Sequence, residues 1–400
     1  MIHYFNPGHE MAVLNKSPYY MPPANVLRMQ HDLSYLPAWY ASTDEFVFIN
    51  EEQADEVNAF IDVQNRLFVD LPQIITHNNI ATVADSEICL WGIAPQAIHL
   101  FETINQDCDM RLKIPAWHDE YLYLTGRLTA KNCLESLIQH IPAISADLLP
   151  HFCDNLDEVE EIIKKSKYPM LAKAPYSSSG KGIIWLTDSF LDIKEKELLS
   201  GIIKKQRSIS LEFVLNKKLD FSMQFLCDGR GEARFEGLSL FETNTKGAYS
   251  GNFLYSQEKI TNLLTEKISS TLLDNVKTEL LSILKSTYAS VYKGCIGVDM
   301  MVYEKDKNLY LHPCVEINMR YNMGYLALKL HQNRIHPTSE GKFFIEYTNT
   351  GKITSQKHLE AQQHFPLQLK NGAIQKGYLS LCPVSEQSKY RAYIVVSEMG

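Results

Sequence analysis

Two alternating runs, Val298 to Tyr303 and Leu309 to Ile317, flank the polar stretch Glu304 to Asn308 and predict a long antiparallel hairpin. Its few polar side chains fall where strand pairing dictates their neighbours. Period two puts Glu316 and Asn318 on one face, and Asp299 returns within a residue or two of them across the ladder. Directly opposed side chains lie about 5 Å apart at Cβ. Carboxylates that close repel one another unless a cation stands between them. Magnesium suits such a place, because it takes one or two carboxylates together with phosphate oxygens and retained water. A lone acid in a strand ordinarily faces solvent. Three polar ligands on strands otherwise built of Val, Met, Ile and Leu predict a metal site at Asp299, Glu316 and Asn318. Arg320, just beyond, places a fixed positive charge where phosphoryl oxygens would develop negative charge.

A second group lies upstream. Lys173 shares a strand face with Leu171, so its stem can pack while its ammonium reaches the mouth of the loop Ser177-Ser178-Ser179-Gly180-Lys181-Gly182. Serine hydroxyls and glycine amides can wrap phosphate oxygens there. The loop is not a Walker A, since Gly182 stands where Ser or Thr is required and Pro175 where the first glycine belongs. Nor is it a dinucleotide fingerprint, because it leads into the strand Ile183 to Leu186 and lacks the third glycine. A hairpin-borne phosphate loop remains. Downstream, the backbone of Glu212-Phe213-Val214 is a candidate adenine hinge, and Asp220 a candidate acceptor from ribose hydroxyls.

Around these groups, strands at 2–5, 45–49 and 87–91 separated by helical stretches predict an α/β layer with a mostly parallel sheet. Helices are expected over 128–141, 156–165, 192–206 (a solvated charged face), a single long span near 260–290, and 323–330. Further β-rich pieces read at 208–215, 219–227 and 233–242, and the tail adds strands at 343–347, 375–381 and 390–396. At 400 residues the chain can build two or three subdomains.

The net charge of −8, with no basic block, argues against nucleic acid or an anionic membrane as partner. No apolar run is long enough to span a bilayer, and the first residues do not read as a signal peptide. The eight cysteines form no Cys-x-x-Cys pair and read as reduced packing residues, so a cytoplasmic location is expected. His9-Glu10 opens like a metalloprotease motif, but Val13 stands where the second histidine belongs.

In this order the parts resemble the ATP-grasp superfamily of carboxylate–amine and carboxylate–thiol ligases, over roughly 126–325. The strongest element is the Asp…Glu-x-Asn pattern closing in Arg, here Asp299, Glu316, Asn318 and Arg320. The resemblance implies an α/β chain with an α+β nucleotide domain. Residues 1–125 would be the substrate-side domain, 126–207 the half with the glycine-rich loop (Ser178, Ser179, Gly180, Lys181, Gly182), and 208–400 the metal-bearing half with a β-rich extension. It further implies ATP, with a pair of magnesium ions, or manganese in their place, on Asp299, Glu316 and Asn318. Lys173 would touch the phosphates, Glu212 and Val214 would lie near adenine, and Asp220 takes the ribose position where relatives usually have Glu. Arg127 stands where many members place a phosphate-contacting lysine, and Lys246 resembles a loop lysine that closes over the nucleotide.

The loop Asn6 to Glu10 occupies the place where relatives hold substrate, and Glu10 could pair with an ammonium, although a plain Pro-Gly turn fits as well. Substrate pockets in this architecture draw on residues 1–125 and 234–255. Gly297, where D-alanine–D-alanine ligase carries arginine, argues against that reaction. The activity implied is phosphorylation of a small-molecule carboxylate by ATP and attack of an amine on the acyl phosphate, in a protein that can be a homo-oligomer. The alternatives are a small-molecule kinase and a nucleotide-binding protein without turnover.

Overall fold

The computed structural model describes residues 1–50, 54–67, 70–166, 169–177, 182–244 and 247–399. Its first sheet is wholly parallel. Strands β1 (Ile2–Tyr4), β2 (Phe46–Phe48), β3 (Gln73–Ile75) and β4 (Ile88–Leu90) lie in the order β3-β2-β1-β4. Ile2, Val47 and Ile75 are fully buried, as apolar runs in a sheet covered on both faces require. The sequence reading missed β3, whose three residues are too few to show a period.

A second sheet holds β5 (His151–Cys153), β6 (Met170–Lys173), β7 (Ile183–Leu186) and β8 (Ile209–Phe213) in the order β5-β8-β6-β7. The helices Leu156–Lys165 and Ile193–Gln206 supply the rest of its core. The second helix is more than the solvated face expected for it. Leu199 is fully buried, with Ile202 and Ile203 packed beside it, and Asp192 and Glu195 form a capping box at its start.

The third sheet is antiparallel and, among the described residues, nine-stranded. It contains β9 (Asn216–Asp228), β10 (Ala233–Thr243), β11 (Tyr249–Leu254), β12 (Lys293–Lys305), β13 (Asn308–Asn318), β14 (Ser339–Tyr347), β15 (Gln368–Lys370), β16 (Ala373–Ser380) and β17 (Tyr390–Glu398). The order is β13-β12-β9-β10-β11-β14-β17-β16-β15, so the tail continues the sheet that carries the hairpin.

The long helix expected near 260–290 is two helices, Gln257–Thr265 and Ser270–Thr287. Ser269 breaks the span by turning extended and accepting a hydrogen bond from the Leu272 amide. Leu273, Val276, Leu280 and Leu284 form the buried stripe of the second helix. The tail also contains an unanticipated helix, Gly351–His364, which buries only Gly351 and Thr354 and so shows little apolar periodicity.

The two ends of the chain are fastened together. The buried Asp32 carboxylate accepts hydrogen bonds from the Lys389 amide (2.8 Å), the Tyr390 amide (3.0 Å) and Arg28 Nε (2.9 Å). Trp39 Nε1 donates to the Leu381 carbonyl at 2.7 Å. Among the described residues no helix is long and apolar enough to cross a membrane.

Candidate active site

The hairpin places the acidic residues. It turns at Asp306 and Lys307, both with positive φ (50° and 65°), between the paired residues Lys305 and Asn308. Along it, Met301 pairs with His312 but Asp299 pairs with Glu316, so β13 carries extra residues at Pro313 to Val315. Proline cannot donate to the ladder, and such residues collect at bulges. The regular alternation read from sequence therefore breaks here. Beyond the bulge Asp299 stands directly opposite Glu316, and Gly297 opposite Asn318.

Asn318 Nδ2 donates to Asp299 Oδ2 at 3.0 Å. A Cβ at position 297 would come within 2.6 Å of Asn322 Nδ2, which instead reaches Gln224 Oε1 at 2.9 Å. Glycine at 297 keeps that space open.

Burial, reinforced by the charge of Glu316, pushes the Asp299 carboxyl up to about 7. Arg127 neutralises Glu316, and Arg320 only partly offsets the charge of Asp299. Among the described residues no cluster of three or more His, Cys, Asp or Glu could hold a metal unaided. Two carboxylates and an amide oxygen leave a shell to be completed by phosphate and water oxygens, which fits magnesium better than a cation needing an all-protein cage.

The group opens into a cavity of ≈ 740 Å³ whose walls include Arg127, Lys173, Glu212, Asp220, Asp299, Glu316 and Arg320. Each cation among its described wall residues is paired. Lys173 Nζ donates to Glu212 Oε2. Arg127 donates to Glu316 Oε1 and to the Ala174 carbonyl, both at 3.1 Å. Lys217 Nζ donates to Asp220 Oδ2 at 2.5 Å, and Thr243 Oγ1 donates to the same oxygen at 3.0 Å. Arg320 Nε donates to Glu10 Oε1 at 2.6 Å, while its other nitrogens donate to Asn318 Oδ1 (3.0 Å) and the Tyr321 carbonyl (3.2 Å). Among the described residues Asp299 is the cavity carboxylate left without an ion pair.

These pairings set the titration of the site. Burial alone would raise Glu212, but Lys173 and then Arg127 outweigh it and hold the carboxyl below its usual range. Burial likewise opposes the lowering of Glu10 by Arg320 and His9. His312 is buried in the cavity wall, and burial, with the Lys173 charge, lowers it to about 4 against the pull of Glu212.

In several places the contacts differ from those expected. The Lys173 ammonium does not reach out to the loop mouth; it is buried against Glu212, whose strand β8 runs beside β6. The Val214 amide donates to the Pro169 carbonyl at 3.0 Å, so it is not free to serve adenine. What remains there is an apolar slot with Leu171, Ile183, Val214, Leu215 and Met301 among its walls. Arg320 is engaged at every nitrogen instead of standing free for phosphate, and Glu10 meets that arginine.

Ser178, Ser179, Gly180, Lys181 and Lys246 lie outside the described residues. Gly182 accepts a backbone bond from Ala174, and a Cβ there would strike the Ser177 side chain at 2.6 Å. The sequence reading missed His312, Lys217 and Thr243. His312 was detectable as a polar residue before proline inside an apolar strand; nothing marked the other two.

No family model and no curated protein sequence matches the chain. Solved structures do. N5-carboxyaminoimidazole synthetase from Staphylococcus aureus, complexed with ADP, shares 12% identity over 100% of this chain and 93% of its own, with a TM-score of 0.50. The ADP complex of an N5-carboxyaminoimidazole ribonucleotide synthetase shares 13% over 99% and 91%, also at 0.50. A biotin carboxylase β,γ-ATP complex from Campylobacter jejuni shares 11% over 99% and 87%, at 0.49. Identity this low speaks for architecture alone. End to end, the chain has the ATP-grasp fold that the order of its motifs resembles.

Proposed function

We propose that the protein is an ATP-dependent, ADP-forming ligase that joins a small-molecule carboxylate to an amine. The observation that carries this reading is the opposition of Asp299 and Glu316, tied by Asn318, in one cavity with Lys173, Arg127 and an apolar slot of nucleobase character. Support comes also from the end-to-end likeness of fold to synthetases solved with ADP. In this reading 1–125 is the substrate side, 126–207 the half bearing the glycine-rich loop, and 208–400 the metal-bearing half. The protein acts in the cytoplasm.

Asp299, Glu316 and the Asn318 oxygen would hold the magnesium ions, a pair of them or manganese in their place. Magnesium, when bound, offsets the charge of the triphosphate and of the group in transfer. The chain's own residues do the rest. Nucleotide binding exchanges internal ion pairs for phosphate contacts: Lys173 turns from Glu212, and Arg127 from Glu316, toward the phosphate oxygens. The slot beside Val214 takes the base, and Asp220, held by Lys217 and Thr243, faces the ribose. Arg320 keeps its charge beside Asn318, where the transferred phosphoryl gains negative charge.

A substrate carboxylate oxygen attacks the γ-phosphorus and ADP leaves. The amine then attacks the acyl carbon, phosphate departs with the C–O bond electrons, and the amine proton is lost to give the amide. The test is ADP release from purified protein and Mg-ATP against paired panels of acids and amines, with mass detection of products. A condensed product formed only when both partners are present is expected. A phosphorylated hydroxyl compound as end product, or nucleotide binding without any turnover, would sink the reading.

A further inference from the structure

The cavity wall also includes residues that the proposed nucleotide and metal contacts do not use. They come from distant stretches of chain. Asn25, Val26 and Met29 lie on the helix Ala24–Asp32, Met323 opens the helix Met323–Arg334, Ile345 lies on β14 and Tyr390 on β17. Met29, Met323, Ile345 and Tyr390 pack against one shared apolar core, and Tyr347 pairs with Tyr390 across the β14–β17 ladder, so Ile345 and Tyr390 share a sheet face.

Tyr390 is held in place. Its backbone amide donates to the buried Asp32 carboxylate. Every described cation that lines the cavity is elsewhere: Arg127, Lys173 and Lys217 at the nucleotide and Arg320 between Glu10 and Asn318. At the junction, Glu10 is buried to 7% exposure, and its second oxygen has no hydrogen-bond partner.

We infer that this part of the cavity takes the amine reactant, and that the body of that amine is apolar, uncharged and free of phosphate. The inference rests on the ligase reading and narrows its substrate. A phosphate or a second carboxylate placed among Val26, Met29, Met323, Ile345 and Tyr390 would be desolvated with no counter-charge, a cost that apolar groups do not incur. An ammonium finds its complement at the junction in the Glu10 carboxylate, which it would share with Arg320. Ile345 and Tyr390 thus complete a specificity wall begun by the helices Ala24–Asp32 and Met323–Arg334, and a ribonucleotide is not the reactant this wall fits.

Isothermal titration of the full-length, Mg-ADP-loaded protein with phenethylamine, L-leucinamide, O-phosphoethanolamine and L-glutamate tests this. The first two are expected to bind at least tenfold more tightly than the last two. Tyr390→Ala should weaken leucinamide tenfold or more, and Ile345→Lys should shift the preference toward O-phosphoethanolamine, with ADP affinity reporting that each variant is folded. The inference is overturned if the anionic amines bind as tightly as the apolar ones, if none of the four binds, or if Ile345→Lys leaves the order unchanged. Loss of Mg-ADP binding by the unaltered protein would strike the ligase reading instead, and the same titration on nucleotide-free protein would then decide the pocket's own preference.

Discussion

Arg320 Nε donates to Glu10 Oε1 at 2.6 Å, joining residues 310 positions apart. The pair links the first turn of the helix that starts at His9 to the side-chain amide oxygen of Asn318 through one guanidinium. Both groups are largely buried, so neither charge has water to fall back on when its partner is removed.

Glu10→Ala should therefore destabilise the protein by about 3–5 kcal/mol, the range seen when one member of a buried pair is deleted. Glu10→Gln, which keeps a hydrogen-bond acceptor, should cost less. Urea titration of both variants checks the ranking, and equal stability of all three proteins would show that the pair is solvated in solution.

Asp299→Asn removes a half-buried carboxylate that faces Glu316 without a cation of its own. The expected outcome is a protein with a raised melting temperature when nucleotide is absent, together with ADP release lowered by roughly 10²-fold or more. A variant that loses both stability and activity would mean that the carboxylate is structural.

Lys173→Met leaves the half-buried Glu212 without its ion-pair partner, whereas Lys173→Met with Glu212→Gln leaves no isolated charge. Stability should fall by about 3–5 kcal/mol in the single variant and recover largely in the double. ADP affinity, measured by calorimetry, should stay weak in both, because only the lysine can offset phosphate charge. Recovery of affinity in the double variant would remove Lys173 from the phosphate site.

Asp32 provides the pH-dependent element. Burial opposes its ionisation, but His31, Arg28 and the Tyr390 amide outweigh burial and hold its carboxyl below the usual value. The unfolded chain thus binds its proton at a higher pH, near 3.9, than the folded chain does. The stabilisation is present above that unfolded value and is lost as pH falls through the lower folded one. Equilibrium unfolding between pH 3 and 7 should show Asp32→Asn less stable than the parent at neutral pH, with the difference shrinking below about pH 4. A constant difference across the range would assign the effect to lost hydrogen bonding alone.

The hairpin was legible because local rules govern it. Period two and a polar turn fix which residues oppose which, and only a few polar side chains occur there. The bulge at Pro313, which shifts the register so that Asp299 faces Glu316, was not anticipated. The break at Ser269 was hidden because apolar residues continue on either side of it. The partners of Lys173, Arg127 and Arg320 were beyond local reasoning: Glu212, Glu316 and Glu10 lie 39, 189 and 310 positions away. Sequence periodicity carries no signal at those separations.

The indole of Trp39 reaches the carbonyl of Leu381 across 342 positions. During synthesis the amino-terminal sheet therefore leaves the ribosome with Trp39 uncovered, and the segment that covers it follows 342 positions later. Until then that side chain is open to chaperones and to aggregation. Trimming the carboxyl end would make this transient exposure permanent.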